Sequence, residues 1–220
     1  MSQRIGLFHA TLSAIPGAEA AWQGTPEPVT LCHYLDEGLL VHVRKHGLDQ
    51  RARQRFHAWL ELIAGDGVAA ILTTCSSLSP LVPELRPQLR CPIVAIDDAM
   101  IDEALQFGSR IGVVATLPSA AETTVALLTT ASPKPIECQL RVAHGAFEAL
   151  RQGEATTHDE LIKGLVRETA GQCDVIVLAQ LSMARVLAQL GDLRTPVLAS
   201  GPSAVRRTLL AARAAHPLRQ

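Results

Sequence analysis

Aromatic side chains are scarce, at 3% of the 220 residues, so the chain offers no ladder of rings on which bases could stack. Charge is thin as well. Asp, Glu, Lys and Arg make up 19%, the formal net charge is −1, and no basic block is longer than Arg-Lys or Arg-Arg. Neither nucleic acid nor an anionic membrane surface is therefore expected as a partner. Long apolar runs are missing too: nothing approaches the ~18 unbroken apolar residues of a spanning helix. The five cysteines (Cys32, Cys75, Cys91, Cys138, Cys173) are odd in number, scattered and without a C-x-x-C pair. That pattern points to neither a zinc site nor a disulfide framework, so no metal is expected. Against these absences stands an apolar content of 48%, enough in a chain of this length for a substantial packed core.

The first residues have the order of a short export signal: Arg4, an apolar stretch, then Ala-Glu-Ala at 18–20. His9 and Pro16 interrupt the apolar stretch, and a close copy of it recurs in mid-chain. Export is thus not expected, and reduced thiols fit a cytoplasmic protein.

That copy organises the chain. RIGLFHATLSA from Arg4 matches RIGVVATLPSA from Arg110, an offset of 106. VAAILTTC, ending at Cys75, matches VIVLAQ, ending at Gln180, an offset of 105; CPIVAIDDA from Cys91 matches TPVLASGPS from Thr195, an offset of 104. Three matches in one order at nearly one offset indicate two homologous halves. Within each, short apolar runs alternate with amphipathic stretches. Ile5–Phe8, Val68–Leu72 and Ile93–Ile96 read as buried parallel strands, as do Ile111–Ala115, Val175–Ala179 and Val197–Ala199. Phe56, Trp59, Leu60 and Ile63 form one helical stripe. Thr157 and Glu160 have the spacing of a capping box ahead of Leu161, Ile162, Leu165 and Val166, and a closing helix is expected from Ser203 to about Ala215. The expected fold is α/β: two pseudosymmetric domains, each with a mostly parallel sheet, over 1–97 plus 203–220 and over 98–202.

Ligands of parallel α/β sheets sit beyond the carboxyl ends of the strands. In the first half those ends carry His9, Thr11, Thr73, Thr74, Cys75, Ser76, Ser77, Asp97 and Asp98; in the second, Thr116, Ser119, Gln180, Ser182, Ser200 and Ser203. Hydroxyls and helix N-terminal amides around one thiol suit a small carboxylate. Any one Ser or Thr is better explained as a helix cap, whereas the set together points to a binding cleft.

ILTTCSS after an apolar strand, RIGVVATLPSA opening the second half and DVIVLAQLSMA near its end resemble the aspartate/glutamate/hydantoin racemase superfamily over nearly the whole chain. The resemblance implies paired α/β domains with the active site between them, no cofactor, a small carboxylate substrate (an amino acid, a hydantoin or a related acid) and association into a homo-oligomer. It also implies two facing thiols, one removing the α-proton and the other returning one. Cys75 matches the first, but the position of the second is Gln180. Cys173 precedes its strand and so belongs at the opposite sheet edge. A thiol can be tuned to act as base and acid, whereas a neutral amide only hydrogen-bonds. Three readings of the chemistry follow: His9 supplies the second acid/base, one thiol works alone as in the decarboxylases of this superfamily, or Cys75 is a nucleophile as in maleate isomerases. In each, Thr11, Thr74, Ser76, Ser77, Thr116, Gln180 and Ser182 are expected to bind substrate. A binding protein that kept the cleft and lost catalysis is the non-enzymatic alternative.

His42 and His46 have metal-like spacing without a third ligand nearby and read as a helix face. His144 stands before a helix. Trp22, Tyr34 and Trp59 read as packing residues.

Overall fold

The computed structural model describes residues 2–23, 25 and 28–215; residue 1 and residues 216–220 of the expected first domain lie outside them. The chain forms two units, Met1–Asp98 with Gly201–Gln220, and Ala99–Ser200. Strands β1 (Gln3–His9), β2 (Val29–Leu35), β3 (Ala70–Thr73) and β4 (Ile93–Ala95) build the first sheet. Strands β5 (Arg110–Ala115), β6 (Glu137–Val142), β7 (Val175–Leu178) and β8 (Val197–Ala199) build the second. Their orders, β2-β1-β3-β4 and β6-β5-β7-β8, are the same, and each neighbouring pair is parallel. Two copies of one α/β topology thus carry the sequence duplication.

The helices are α1 (Ala14–Trp22), α2 (Glu37–His46), α3 (Gln50–Gly65), α4 (Val82–Leu85), α5 (Asp98–Phe107), α6 (Pro118–Ala131), α7 (Ala146–Arg151), α8 (Ala155–Thr169) and α9 (Ser200–Ala215). None among the described residues is long and apolar enough to cross a membrane.

The apolar runs became the inner strands. Ile71, Ile93 and Phe8 pack on one face of the first sheet with Phe56, Leu60 and Ile63 of α3, the Phe8 and Phe56 ring centroids being 5.3 Å apart. The second sheet is covered on both faces. Ile176 and Val114 meet Ile162 and Val166 of α8, while Val113, Val175 and Val177 meet Ala121 and Leu128 of α6. Burial on both faces is why these strands are continuously apolar. The edge strands β2 and β6 escaped the sequence reading for the converse reason. VTLCHYL and ECQLRV are half-buried and mix polar with apolar residues, as edges do.

Close approach explains a repeated glycine. A Cβ on Gly6 of β1 would stand 2.5 Å from Ile63 Cγ2 of α3, and one on Gly112 of β5 would stand 2.8 Å from Thr169 Cγ2 of α8. In both units the helix crosses the central strand where no side chain can fit.

The capping-box expectation fails. α8 begins at Ala155 with Glu154 as N-cap and no side-chain capping bond, so Thr157 already lies in the first turn. Its buried face runs through His158, Asp159, Ile162, Lys163, Val166 and Thr169, whereas Leu161 is exposed. A buried polar network (His158 Nδ1 to Asp159 Oδ1 at 2.8 Å, Asp159 Oδ2 accepting from Arg185 and Gln189) replaces the expected apolar start of the stripe.

Candidate active site

The first sheet delivers Cys75 to its carboxyl end. Thr74 N donates to Phe8 O at 2.9 Å, the last rung beside β1, and Cys75 caps the 3₁₀ turn Ser76–Leu81. Leu78 N donates to Cys75 O at 3.0 Å, which closes that turn. Cys75 is half-buried as a residue and packs against the core beneath. Burial pushes it above the ordinary thiol range; the N–H groups of Ser77 and Leu78 and the Ser77 hydroxyl pull the other way, and the Asp97 charge adds to the rise.

The second sheet places Gln180 at the equivalent point. Ala179 N donates to Val114 O at 2.9 Å, as Thr74 does to Phe8, and Gln180 caps the 3₁₀ segment Leu181–Gln189 through Met183 N at 3.0 Å. Gln180 Oε1 accepts from Thr116 N at 2.6 Å and from Thr116 Oγ1 at 2.9 Å. A backbone N–H can only donate, so the amide orientation is fixed and its NH₂ points away from Thr116. The counterpart of the thiol is thus a pinned amide presenting two donor hydrogens.

Several expected substrate donors are committed elsewhere. The Thr74 hydroxyl donates to Phe8 O at 3.1 Å, that of Thr116 to Gln180, and that of Ser76 to Asp97 Oδ1 at 3.2 Å. Thr11 Oγ1 pairs with Ser13 Oγ at 3.1 Å. Ser77 is exposed beside the thiol and Ser182 is half-buried two residues after Gln180.

His9 is fully buried. Because the Thr74 hydroxyl donates to Phe8, it accepts from His9 Nδ1–H at 2.9 Å; His9 Nε2 then accepts from His33 Nδ1–H, also at 2.9 Å. Both ring nitrogens are engaged. Burial, helped by His33, lowers the His9 pKa to about 4, so the ring is neutral near pH 7. An acid/base role in direct contact with substrate does not fit a ring so enclosed. His33 Nε2 lies 3.6 Å from the Glu19 carboxylate of α1; His33 escaped the sequence reading because β2 did.

Asp97 is also buried; Ser76 and Ser79 hydroxyls donate to it, the latter at 2.9 Å, and desolvation raises its pKa to about 6. Ser79, three residues after Ser76 and so on the same side of the 3₁₀ turn, was a legible partner that the sequence reading passed over. Asp98 pairs with Arg86 at 2.6 Å. Cys173 is buried just before β7, with Sγ donating to Thr169 O at 3.6 Å, at the amino edge as expected. His42 bonds Asp49 at 2.9 Å, and among the described residues no group of three or more His, Cys, Asp or Glu could hold a metal ion. His144 is exposed. Trp22 is buried; Trp59 Nε1 donates to Asp36 at 2.8 Å, and the Tyr34 hydroxyl to Asp66 at 2.7 Å.

Residues 18–208 match the model of the Asp/Glu/Hydantoin racemase family. No curated protein matches in sequence. Among solved structures, the fold is similar to allantoin racemase from Klebsiella pneumoniae (TM-score 0.72, 19% identity, 95% of this chain and 87% of that one). It is similar also to an aspartate racemase homologue from Pyrococcus horikoshii OT3 (TM-score 0.71, 14% identity, 96% and 99% covered). Arylmalonate decarboxylase shares it too (TM-score 0.62, 19% identity, 95% and 92% covered).

Proposed function

The chain belongs to the Asp/Glu/hydantoin racemase family, and for this enzyme of the racemase superfamily we propose single-thiol proton transfer to a carbon next to the carboxylate of a small acid. One observation carries the reading: of the two equivalent strand ends, one bears the Cys75 thiol and the other an amide that cannot exchange a proton near neutral pH. His9 does not complete a pair, being enclosed between Thr74 and His33. Cys75 then acts from one face, giving its S–H proton to the enediolate formed when the substrate loses CO₂, and the thiolate left behind takes a proton back from solvent. The Gln180 NH₂ donates to a substrate oxygen, with Ser77 and Ser182 as further contacts. Thr74 and His9 act as positioning groups behind the thiol, and Thr116 holds Gln180. Release of CO₂ from substituted malonates is the reaction class that needs only one thiol; the structural likeness to arylmalonate decarboxylase supports it through the shared fold alone.

The test is proton NMR in D₂O with amino acids, hydantoins, hydroxy acids and substituted malonates. α-Deuterated product, absent with Cys75→Ala, is the expected result, and Gln180→Leu should raise KM about tenfold, the loss of one hydrogen bond to a charged group. Undiminished turnover by Cys75→Ala overturns the reading. Thermal stabilisation by a panel compound without turnover favours the binding protein instead.

A further inference from the structure

The carboxyl group of Asp97 has no role in the chemistry above, yet the fold puts it beside the thiol. β3 and β4 run parallel with Thr73 level with Ala95, and Ile96 N donates to Thr73 O at 2.9 Å. Cys75 and Asp97 each follow two residues after that last pair, beyond the ends of both strands, and the Asp97 charge acts on the thiol. The side chain turns toward the same 3₁₀ turn: Ser76 and Ser79, one and four residues after Cys75, both donate to its carboxylate. Among the described residues no cation joins them. The nearby guanidinium of Arg86 is taken by Asp98 and by Ile93 O. A carboxylate this buried, held only by hydroxyls, is costly to ionise, so some use must offset the cost.

We propose that Asp97 is a positioning residue that holds Cys75 in its protonated form in the free enzyme, so that the thiol meets substrate as a proton donor. This rests on Cys75 being the reacting thiol. A second negative charge on the sulfur, near the carboxylate in a poorly solvated turn, is disfavoured while Asp97 is ionised. The coupling is reciprocal: ionising the thiol makes it harder to ionise Asp97. Burial places the Asp97 transition at about 6, so around neutral pH the carboxylate is largely charged and the thiol largely intact. The other titratable groups around the pair act more weakly. Asp98 repels Asp97 but is paired with Arg86, and His9 and His33 stand behind Thr74, with His9 neutral. The outcome matches a one-thiol enzyme, which needs an acid at rest rather than a base.

The experiment is the pH dependence of iodoacetamide alkylation of the free protein from pH 5 to 10, read at Cys75 by peptide mass spectrometry so that the other four cysteines do not interfere. Asp97→Asn is expected to alkylate about tenfold faster than wild type at pH 7.5, its thiol transition moving down by about one unit, and Asp97→Glu to restore the slow profile. Should Asp97→Asn fail to fold, the ¹³C carboxyl signal of Asp97 in the wild-type protein serves instead; it is expected to show a second inflection where the thiol ionises. An unchanged alkylation profile in folded Asp97→Asn, or a carboxyl signal blind to the thiol, overturns the proposal. Neither measurement uses substrate, so failure here leaves the turnover reading standing, and an inactive substrate panel leaves this one standing.

Discussion

At Cys75 two effects oppose each other: N–H groups and a hydroxyl directed at the sulfur favour thiolate, while burial and the Asp97 charge favour thiol, and the second pair wins. His9 shows burial, helped by the neighbouring His33, acting on a base. Its folded pKa of about 4 lies below the ordinary 6.5, so between those values the folded state binds fewer protons than the unfolded chain. The stability contributed by neutral His9 is complete above pH 6.5 and is lost as pH falls toward 4. Asp97 has the opposite sign, since a carboxyl raised to about 6 loses stability as pH rises through that value. Subtracting a variant cancels Asp97. We expect urea denaturation of wild type and His9→Gln at several pH values to show the difference shrinking by about 3 kcal/mol from pH 7 to pH 4, the size of a shift of this order. A difference constant with pH would mean that His9 titrates normally. Both residues could be named from the sequence as strand-end groups. Their enclosure could not, because His33 sits on an edge strand whose alternation is weak and Thr74 chooses a backbone carbonyl over solvent.

Elements were legible in proportion to their burial. The inner strands announce themselves as apolar runs because both faces are covered, and α3 because Phe56, Trp59, Leu60 and Ile63 recur at helical spacing. β2 and β6 do not, since an edge with one half-wet face carries His33, Tyr34, Gln139 and Arg141 beside its apolar residues. The start of α8 misleads for a different reason. Thr157 and Glu160 have the spacing of a cap, but the helix starts at Ala155, where Glu154 is already the boundary residue. The glycine at the helix crossing is an element-scale constraint written in one position of each repeat, and it gives a direct prediction. Gly6→Ala forces a methyl to 2.5 Å from Ile63 Cγ2, a β-branched side chain with little freedom in a helix, and should cost about 1–3 kcal/mol. The change in denaturation midpoint measures it; an unchanged midpoint would mean that α3 can slide away from β1 without loss.

The whole molecule is one topology used twice with its chemistry divided unequally. The order of strands, the crossing glycine and the capped 3₁₀ turn after the third strand recur in both units. The duplication made all of this readable at offsets of 104–106. The first unit carries the thiol, the buried carboxyl and the paired imidazoles, groups that exchange protons. At the equivalent strand end the second carries a fixed amide, which does not. That asymmetry was visible in one letter, Gln180 in place of cysteine. What it implies for the reaction depended on seeing which hydroxyls were already occupied, which no spacing in the chain reveals. The account therefore stands on protonation from one side by one sulfur. The most direct test is decarboxylation of a 2,2-disubstituted malonate in D₂O, with chiral separation and mass analysis of the product. The account predicts one enantiomer carrying one deuterium at the α-carbon, and no product with Cys75→Ala. A racemic product from the wild-type enzyme, or the same product from Cys75→Ala, would contradict it.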